Sequence, residues 1–348
     1  MERFFALAPD KQRELFREAG VLKGLPPASI EKDLWVCWLL RKLTLLDPWG
    51  EHLTFKGGTS LSKAHNLIDR FSEDIDLVVD RVAVELVGEN DPVQAASPRQ
   101  GKERVKRIAK AGYAWTQEEL MPALQRAISD DLVVTNWQLA LSPITDNQET
   151  SFTFRYPRLF DEGTGYLRPE IKVELVAKAD AWPSKPMPIS TYVHQLFSNA
   201  IGDGLFDVNT MQAERTMLEK ALLLHEVLIQ RPEGPRPRLA RHYYDLYRLS
   251  KAGFGERSME DRTLYPAIIE HRRAFYRYGS VDYNALMSEG FSIIPQGDAR
   301  KEWEKDYANM QRDMFYGDVP PFETVMEQLA QFEDDFRKHL QNQQRNNG

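Results

Sequence analysis

The residue types able to act together chemically fall in one short stretch, Thr54-Phe55-Lys56-Gly57-Gly58-Thr59-Ser60, and then, after thirteen intervening residues, Asp74-Ile75-Asp76-Leu77. Two glycines after a strand permit a tight turn with open backbone N–H groups, and a helix N-terminus follows. Such a turn, Gly57-Gly58-Thr59-Ser60, suits an anion such as a triphosphate. Ser60 can add a hydroxyl donor, and Lys56 and Lys63 lie close by in sequence. Side chains alternate along a strand, so Asp74 and Asp76 project from one face while Ile75, Leu77 and Val79 point into the core. Carboxylates about 7 Å apart along the backbone can converge on hard cations such as Mg²⁺. Two such ions about 3.5–4 Å apart polarise an attacking oxygen and stabilise a leaving one. Singly, Gly-Gly is a turn and Asp-x-Asp a solvated strand face. Their order and spacing favour a shared site.

The elements that must position these residues follow from patterning. Leu53-Thr54-Phe55 reads as a strand rising into the glycine turn, Leu61 to Leu67 as a short helix, and Ile75 to Val79 as a second strand. Two helices precede them, one opened by Pro9-Asp10 and one capped by Pro26-Pro27 and Ser29 that runs to Leu45. Residues 84–100 read as a loop, and helices are expected over 101–112 and 116–129. Alternation predicts strands at Leu132 to Trp137, Ser151 to Tyr156 and Leu167 to Val176. Trp182-Pro183-Ser184-Lys185-Pro186-Met187-Pro188 carries three prolines and is expected to be irregular. Beyond residue 208 the chain reads as helix. The expected fold class is α+β, with a core domain over 1–188 around a small mixed sheet, an all-helical domain over 189–340, and a frayed, disordered tail over 341–348.

The composition is that of an ordinary soluble protein: 348 residues, 42% hydrophobic, 28% charged. The single cysteine, Cys37, excludes an internal disulfide, and its apolar run Leu34 to Leu40 is too short to span a bilayer. The N-terminus has no signal-peptide pattern, so a cytoplasmic location without membrane attachment is expected. Metal-spaced His/Cys clusters and a Gly-x-Ser-x-Gly elbow are missing from the sequence, which argues against structural zinc and a serine hydrolase. A net charge of −7 argues against nonspecific coating of nucleic acid. It leaves room for a local basic surface, and Lys102, Arg104, Lys106, Arg107 and Lys110 share an expected helix with one Glu. Such a run is also what a solvated helix face looks like.

The chain resembles the AbiEii-type abortive-infection toxins, members of the DNA polymerase β-like nucleotidyltransferase superfamily. Phe55-Lys56-Gly57-Gly58-Thr59-Ser60-Leu61 with Arg70-Phe71-Ser72-Glu73-Asp74-Ile75-Asp76-Leu77 is similar to the family's first motif. Glu31-Lys32-Asp33, Glu214 to Lys220 and Arg241 to Tyr247 are similar to further segments, within residues 26–316. The resemblance implies a nucleotidyltransferase-fold core that moves an NMP from an NTP onto an acceptor hydroxyl with Mg²⁺ or Mn²⁺. It further implies an RNA acceptor, the 3′ end of tRNA, and a separately encoded antitoxin. A protein side chain as acceptor, or a degenerate protein that only binds nucleotide or RNA, are the competing readings. The superfamily's third carboxylate fits Glu174, which shares a strand face with Lys172 opposite Ile171, Val173 and Leu175. A plain Lys–Glu pair on an exposed strand fits the same pattern. Lys220 lies on a helix apolar nearly all round and is implied to contact the triphosphate; a lysine snorkelling to water would look alike. His225, on the same helix, reads as a satisfied core histidine. Asp245 has Arg241 and Arg248 on its helical face. It is implied to assist the acceptor or position Lys220, against an intrahelical salt-bridge ladder.

Overall fold

The computed structural model describes residues 1–70, 72–132, 134–144, 149–160, 168–202, 204–315 and 317–347. It divides into two compact units, Met1–Ala64 with Ser72–Met211, and His65–Phe71 with Gln212–Gly348. Phe71, Val133, Leu167 and Gly348, on which sequence expectations fall, lie outside the described residues.

The first unit is built on a seven-stranded mixed sheet: β1 (Leu53–Lys56), β2 (Ile75–Val79), β3 (Gln138–Leu141), β4 (Thr150–Arg155), β5 (Glu170–Val176), β6 (Ser184–Ile189) and β7 (Phe206–Met211). The spatial order is β3-β4-β5-β2-β1-β7-β6. β1 runs antiparallel to β2 and parallel to β7, and β2 runs parallel to β5. β5 alternates buried Ile171, Val173 and Leu175 with more exposed partners, so one face is core and the other carries polar side chains. Helices α1 (Glu2–Phe5), α2 (Pro9–Lys23) and α3 (Pro27–Thr44) precede the sheet, and α4 (Gly57–Lys63) joins β1 to the β2 segment. α3 is buried along most of its length, with Trp38 stacked on Phe154 of β4 at 5.8 Å and Trp35 stacked on Tyr156 at 5.6 Å. The apolar run around Cys37 is therefore core.

Two strand expectations need correction. The segment Ser184–Ile189 is a strand despite its prolines, paired antiparallel with β7 from Ser184↔Met211 to Ile189↔Phe206. β6 is a sheet edge, where alternate N–H groups face away from the partner, so prolines two apart cost no ladder bond. The strand expected over Leu132 to Trp137 is not formed among the described residues, and the nearest strand, β3, starts after it at Gln138. α5 (Pro98–Trp115), a π-turn over Thr116–Leu120 and α6 (Met121–Asp131) fill the expected helical region. Two short helices, α7 (Tyr192–Leu196) and α8 (Ser198–Ile201), lie between β6 and β7.

From Gln212 onward the second unit is helical: α9 (Ala213–Gln230), α10 (Arg241–Lys251), α11 (Phe254–Glu260), α12 (Leu264–Phe275), α13 (Tyr283–Glu289), α14 (Gly297–Asp313) and α15 (Phe322–Asn347). The polar tail, expected to fray, continues α15, and Gln344 donates to the Ser288 carbonyl at 2.9 Å. Among the described residues no helix is long and apolar enough to cross a membrane.

Candidate active site

Lys56 ends β1 in register with Asp76 of β2, and Gly57 opens α4 at φ +81°. A Cβ built on Gly57 would lie 1.9 Å from Asp76 Oδ2. The Asp76 carboxylate therefore rests against the bare α-carbon of the turn, and both the backbone angle and the close approach require glycine. In the next strand Asp76 is in register with Glu174 of β5, and parallel neighbours about 4.8 Å apart present side chains to the same face. Asp74 stands one residue before β2, half-buried, and its carboxyl is pushed above the ordinary range by burial and by the charges of Glu73 and Glu174. The structure thus brings Gly57, Asp74, Asp76 and Glu174 to one end of three adjacent strands.

These oxygens suit a hard divalent cation, and the upward shift of Asp74, set first by burial and then by the acidic neighbours, outweighs the opposing charges of Lys172 and Lys32. Among the described residues no three His, Cys, Asp or Glu side chains already form a metal-holding group. One reason is visible at Glu174, whose carboxylate is paired with Lys172. A cation drawing on Glu174 has to compete with that half-exposed pair.

The remaining turn residues are placed less directly. Ser60 is fully buried and donates to the Gly57 carbonyl at 2.9 Å, which closes the turn. Thr59 Oγ1 lies 2.5 Å from the Asp74 carbonyl and 2.8 Å from Ser72 Oγ. A carbonyl can only accept, so the Thr59 proton goes to Asp74 and Ser72 donates to Thr59. Thr59 thereby ties α4 to the backbone that carries the first carboxylate. Lys63 is buried and paired with Asp33, its ammonium 3.5 Å from the centroid of the Tyr192 ring. That places Lys63 in the scaffold of the unit. Lys178, which the sequence did not single out, lies near enough to Lys56 for their charges to repel, and burial with that repulsion lowers its pKa.

Glu31-Lys32-Asp33 explains how α3 holds this region. Glu31 accepts from the Leu159 and Phe160 amides at 2.6 and 3.3 Å, Lys32 pairs with Glu73 beside Asp74, and Asp33 accepts from the Tyr192 amide at 2.7 Å. Three consecutive charges are buried, and each has its own partner.

In the second unit Lys220 and Asp245 meet. Lys220 Nζ lies 2.9 Å from Asp245 Oδ2 and 3.3 Å from His242 Nδ1. Arg70 closes on Asp245 with two bonds, Nε to Oδ1 at 2.7 Å and Nη2 to Oδ2 at 2.8 Å. Asp245 is fully buried, and the Arg70 and Lys220 charges hold its carboxyl far below the ordinary range against the opposing effect of burial. Such a carboxylate is a poor proton acceptor and a good clamp for Lys220. Arg248 belongs elsewhere, bound to Asp69 at 2.8 Å and to the Leu67 carbonyl at 3.1 Å, so no salt-bridge ladder forms with Asp245. Lys220 is desolvated, and its pKa is lowered by burial and by Arg70 despite Asp245. Tyr243 and Tyr244 are core groups, one against Trp303 and the other stacked on Phe315. His225, read from the sequence as a satisfied core histidine, is only partly buried, and its Nδ1 accepts from the Ser292 amide at 3.0 Å.

His242 is held neutral, its pKa well below normal through burial and the charges of Lys220 and Arg241. The unfolded chain takes up a proton as pH falls through about 6.5 and the folded one does not, so stability declines below that pH. His242→Asn should remove up to about 1.4 kcal/mol per pH unit of this decline. Urea unfolding at pH 7 and pH 5 reads it, and an unchanged slope would mean that His242 titrates freely in the folded protein.

With this geometry in place, comparison with known families finds a match over residues 38–331 to "Nucleotidyl transferase AbiEii toxin, Type IV TA system". A comparison with curated protein sequences gave no match.

Proposed function

The chain belongs to the AbiEii nucleotidyl transferase toxins of type IV toxin–antitoxin systems, and from that premise we propose that it moves an NMP from an NTP onto a hydroxyl of RNA, the 3′ end of a tRNA, in a Mg²⁺- or Mn²⁺-dependent reaction. The observation that carries this reading is the seating of Asp76 against Gly57, with Asp74 and Glu174 on the same face. The acceptor hydroxyl gives up its proton to solvent as its oxygen attacks the α-phosphorus, the bond from the α-phosphorus to the bridging oxygen of the β-phosphate breaks, and pyrophosphate leaves. Asp74 and Asp76 would hold the divalent cation, with Glu174 joining on release from Lys172. A cation held there would supply Lewis-acid polarisation of the α-phosphate and neutralise charge on the departing pyrophosphate.

Open N–H groups of the Gly57-Gly58 turn and the ammonium of Lys56 orient the phosphates, with Thr59 and Ser60 keeping the turn in shape. By family resemblance Lys220 serves the triphosphate, and Asp245 with Arg70 fixes its ammonium. As a type IV toxin the protein is opposed by a separate antitoxin.

Incubation with each α-labelled NTP and Mg²⁺, with and without total RNA, tests the proposal. Label is expected on RNA and should disappear in excess EDTA. Label on the protein itself would assign the acceptor to a side chain, and nucleotide binding with no transferred label would make the chain a binding protein. Full transfer in EDTA would overturn the role of the carboxylates.

A further inference from the structure

Helix α5 carries six cations, Arg99, Lys102, Arg104, Lys106, Arg107 and Lys110, and one acid, Glu103, in a chain whose net charge is −7. Gly101, Ile108, Ala109 and Gly112 form its buried face, and Gly112 sits so close to Ala177, just past β5, that a Cβ there would approach to 3.0 Å. At 100° per residue, Arg99, Lys102, Lys106 and Lys110 fall on the flank away from that contact, at successive rises of about 4.5–6 Å. Arg99, Lys102 and Lys110 are exposed, and none of the three forms an ion pair among the described residues. Lys106 shares Glu103 at a loose 3.4 Å. Arg104 and Arg107 instead brace the preceding loop, through the Asp91 carbonyl at 2.8 Å and Asn90 Oδ1 at 3.1 Å.

This distribution works against the helix. Its first turn holds no acid, its last turn holds no base, and Lys102, Lys106 and Lys110 repel one another at i, i+4 spacing. What favours the N-terminus is uncharged: the Ser97 cap accepting from the Gln100 amide at 3.2 Å, Gln100 Oε1 accepting from the Ala96 amide at 2.7 Å, and Pro98 at the first position. A row of lysines that costs the fold stability, and whose one ion pair among the described residues is the loose Lys106–Glu103 contact, is complementary to an external polyanion.

We infer that the Arg99–Lys102–Lys106–Lys110 flank of α5 binds the phosphodiester backbone of the RNA acceptor. The inference rests on the RNA reading above and extends it to a surface outside the reacting carboxylates. A phosphate row is favoured over an acidic polypeptide because the cations are evenly spaced and lack exposed apolar anchors between them.

The test is the triple variant Lys102→Gln, Lys106→Gln, Lys110→Gln, compared with wild type in binding total tRNA over a salt series. Loss of three phosphate contacts should lower affinity by about ten- to a hundredfold and flatten the slope of log K against log salt by about 2–3. KM for tRNA should rise while transfer at saturating tRNA and NTP affinity stay unchanged. Equal tRNA affinity and slope in the two proteins, with wild type labelling RNA, would overturn this inference alone. Failure of wild type itself to bind or label RNA would overturn the RNA reading and the inference with it. Selective loss of polyglutamate binding with tRNA binding intact would make the flank a protein-docking surface, which also overturns it.

Discussion

Asp74→Asn should reduce nucleotide transfer by about three orders of magnitude while leaving the metal-free protein at least as stable as wild type at neutral pH. The two halves share one cause. Burial and the neighbouring charges of Glu73 and Glu174 raise the Asp74 pKa, so its ionised form is unfavourable in the fold until a cation arrives. The folded state then holds a proton that the unfolded state has released. Metal-free stability falls as pH rises from the ordinary aspartate range through the raised value, and the amide removes that fall. Asn keeps the backbone carbonyl that Thr59 grips, so the turn survives. Mg²⁺ should raise the melting temperature of wild type by mass action and leave the variant nearly unmoved. Calorimetry with and without Mg²⁺, beside a labelled-NTP assay, reads both effects. Near-wild-type transfer in a folded variant would remove Asp74 from the chemistry.

The ease with which the sequence reveals this carboxylate group has a physical basis. Strand alternation fixes which way Asp74, Asp76 and Glu174 point, and a glycine pair after a strand advertises a constrained turn. What alternation cannot supply is which strands become neighbours; the β2–β5 pairing that aligns Asp76 with Glu174 joins segments nearly a hundred residues apart. β6 was unreadable for a related reason. Proline excludes a central strand but not an edge, and edge position is a property of the whole sheet.

Side-chain partners are harder still. Lys63 is close to the glycine turn in sequence, which made it a phosphate candidate, yet Asp33 and Tyr192 hold it. Thr59 counted as part of an anion cradle and turns out to bind the backbone of Asp74. The polar tail looked frayed because it lacks an apolar stripe, while α15 extends through it with a Gln344–Ser288 bond from a separate helix. For Lys63 and Gln344 the deciding partner lies far away along the chain, where local pattern carries no information, and for Thr59 it is a backbone carbonyl, which no residue type announces.

Asp245 is the extreme instance, since its guanidinium partner, Arg70, is 175 residues away, and it gives the other large effect. Asp245→Asn should destabilise the second unit by about 3–5 kcal/mol, because the buried Arg70 and Lys220 lose the carboxylate that they share and an amide N–H₂ is turned toward one of them. Lys220→Met should behave oppositely. It removes a desolvated ammonium and leaves the two-bond Arg70–Asp245 pair intact, so stability should hold or rise while transfer drops. The double variant should recover part of the stability lost in Asp245→Asn, since only one of the two buried cations then loses that carboxylate, though its activity should stay at the Lys220→Met level. With two compact units in the chain a single global melting curve is ambiguous. Hydrogen exchange of the α9 and α10 amides reports the effect locally, and faster exchange confined to those helices is the expected result. If Asp245→Asn exchanges like wild type, the carboxylate is not holding the cations together. If Lys220→Met exchanges faster than wild type, the lysine is a structural counter-charge and not a group kept ready for a triphosphate.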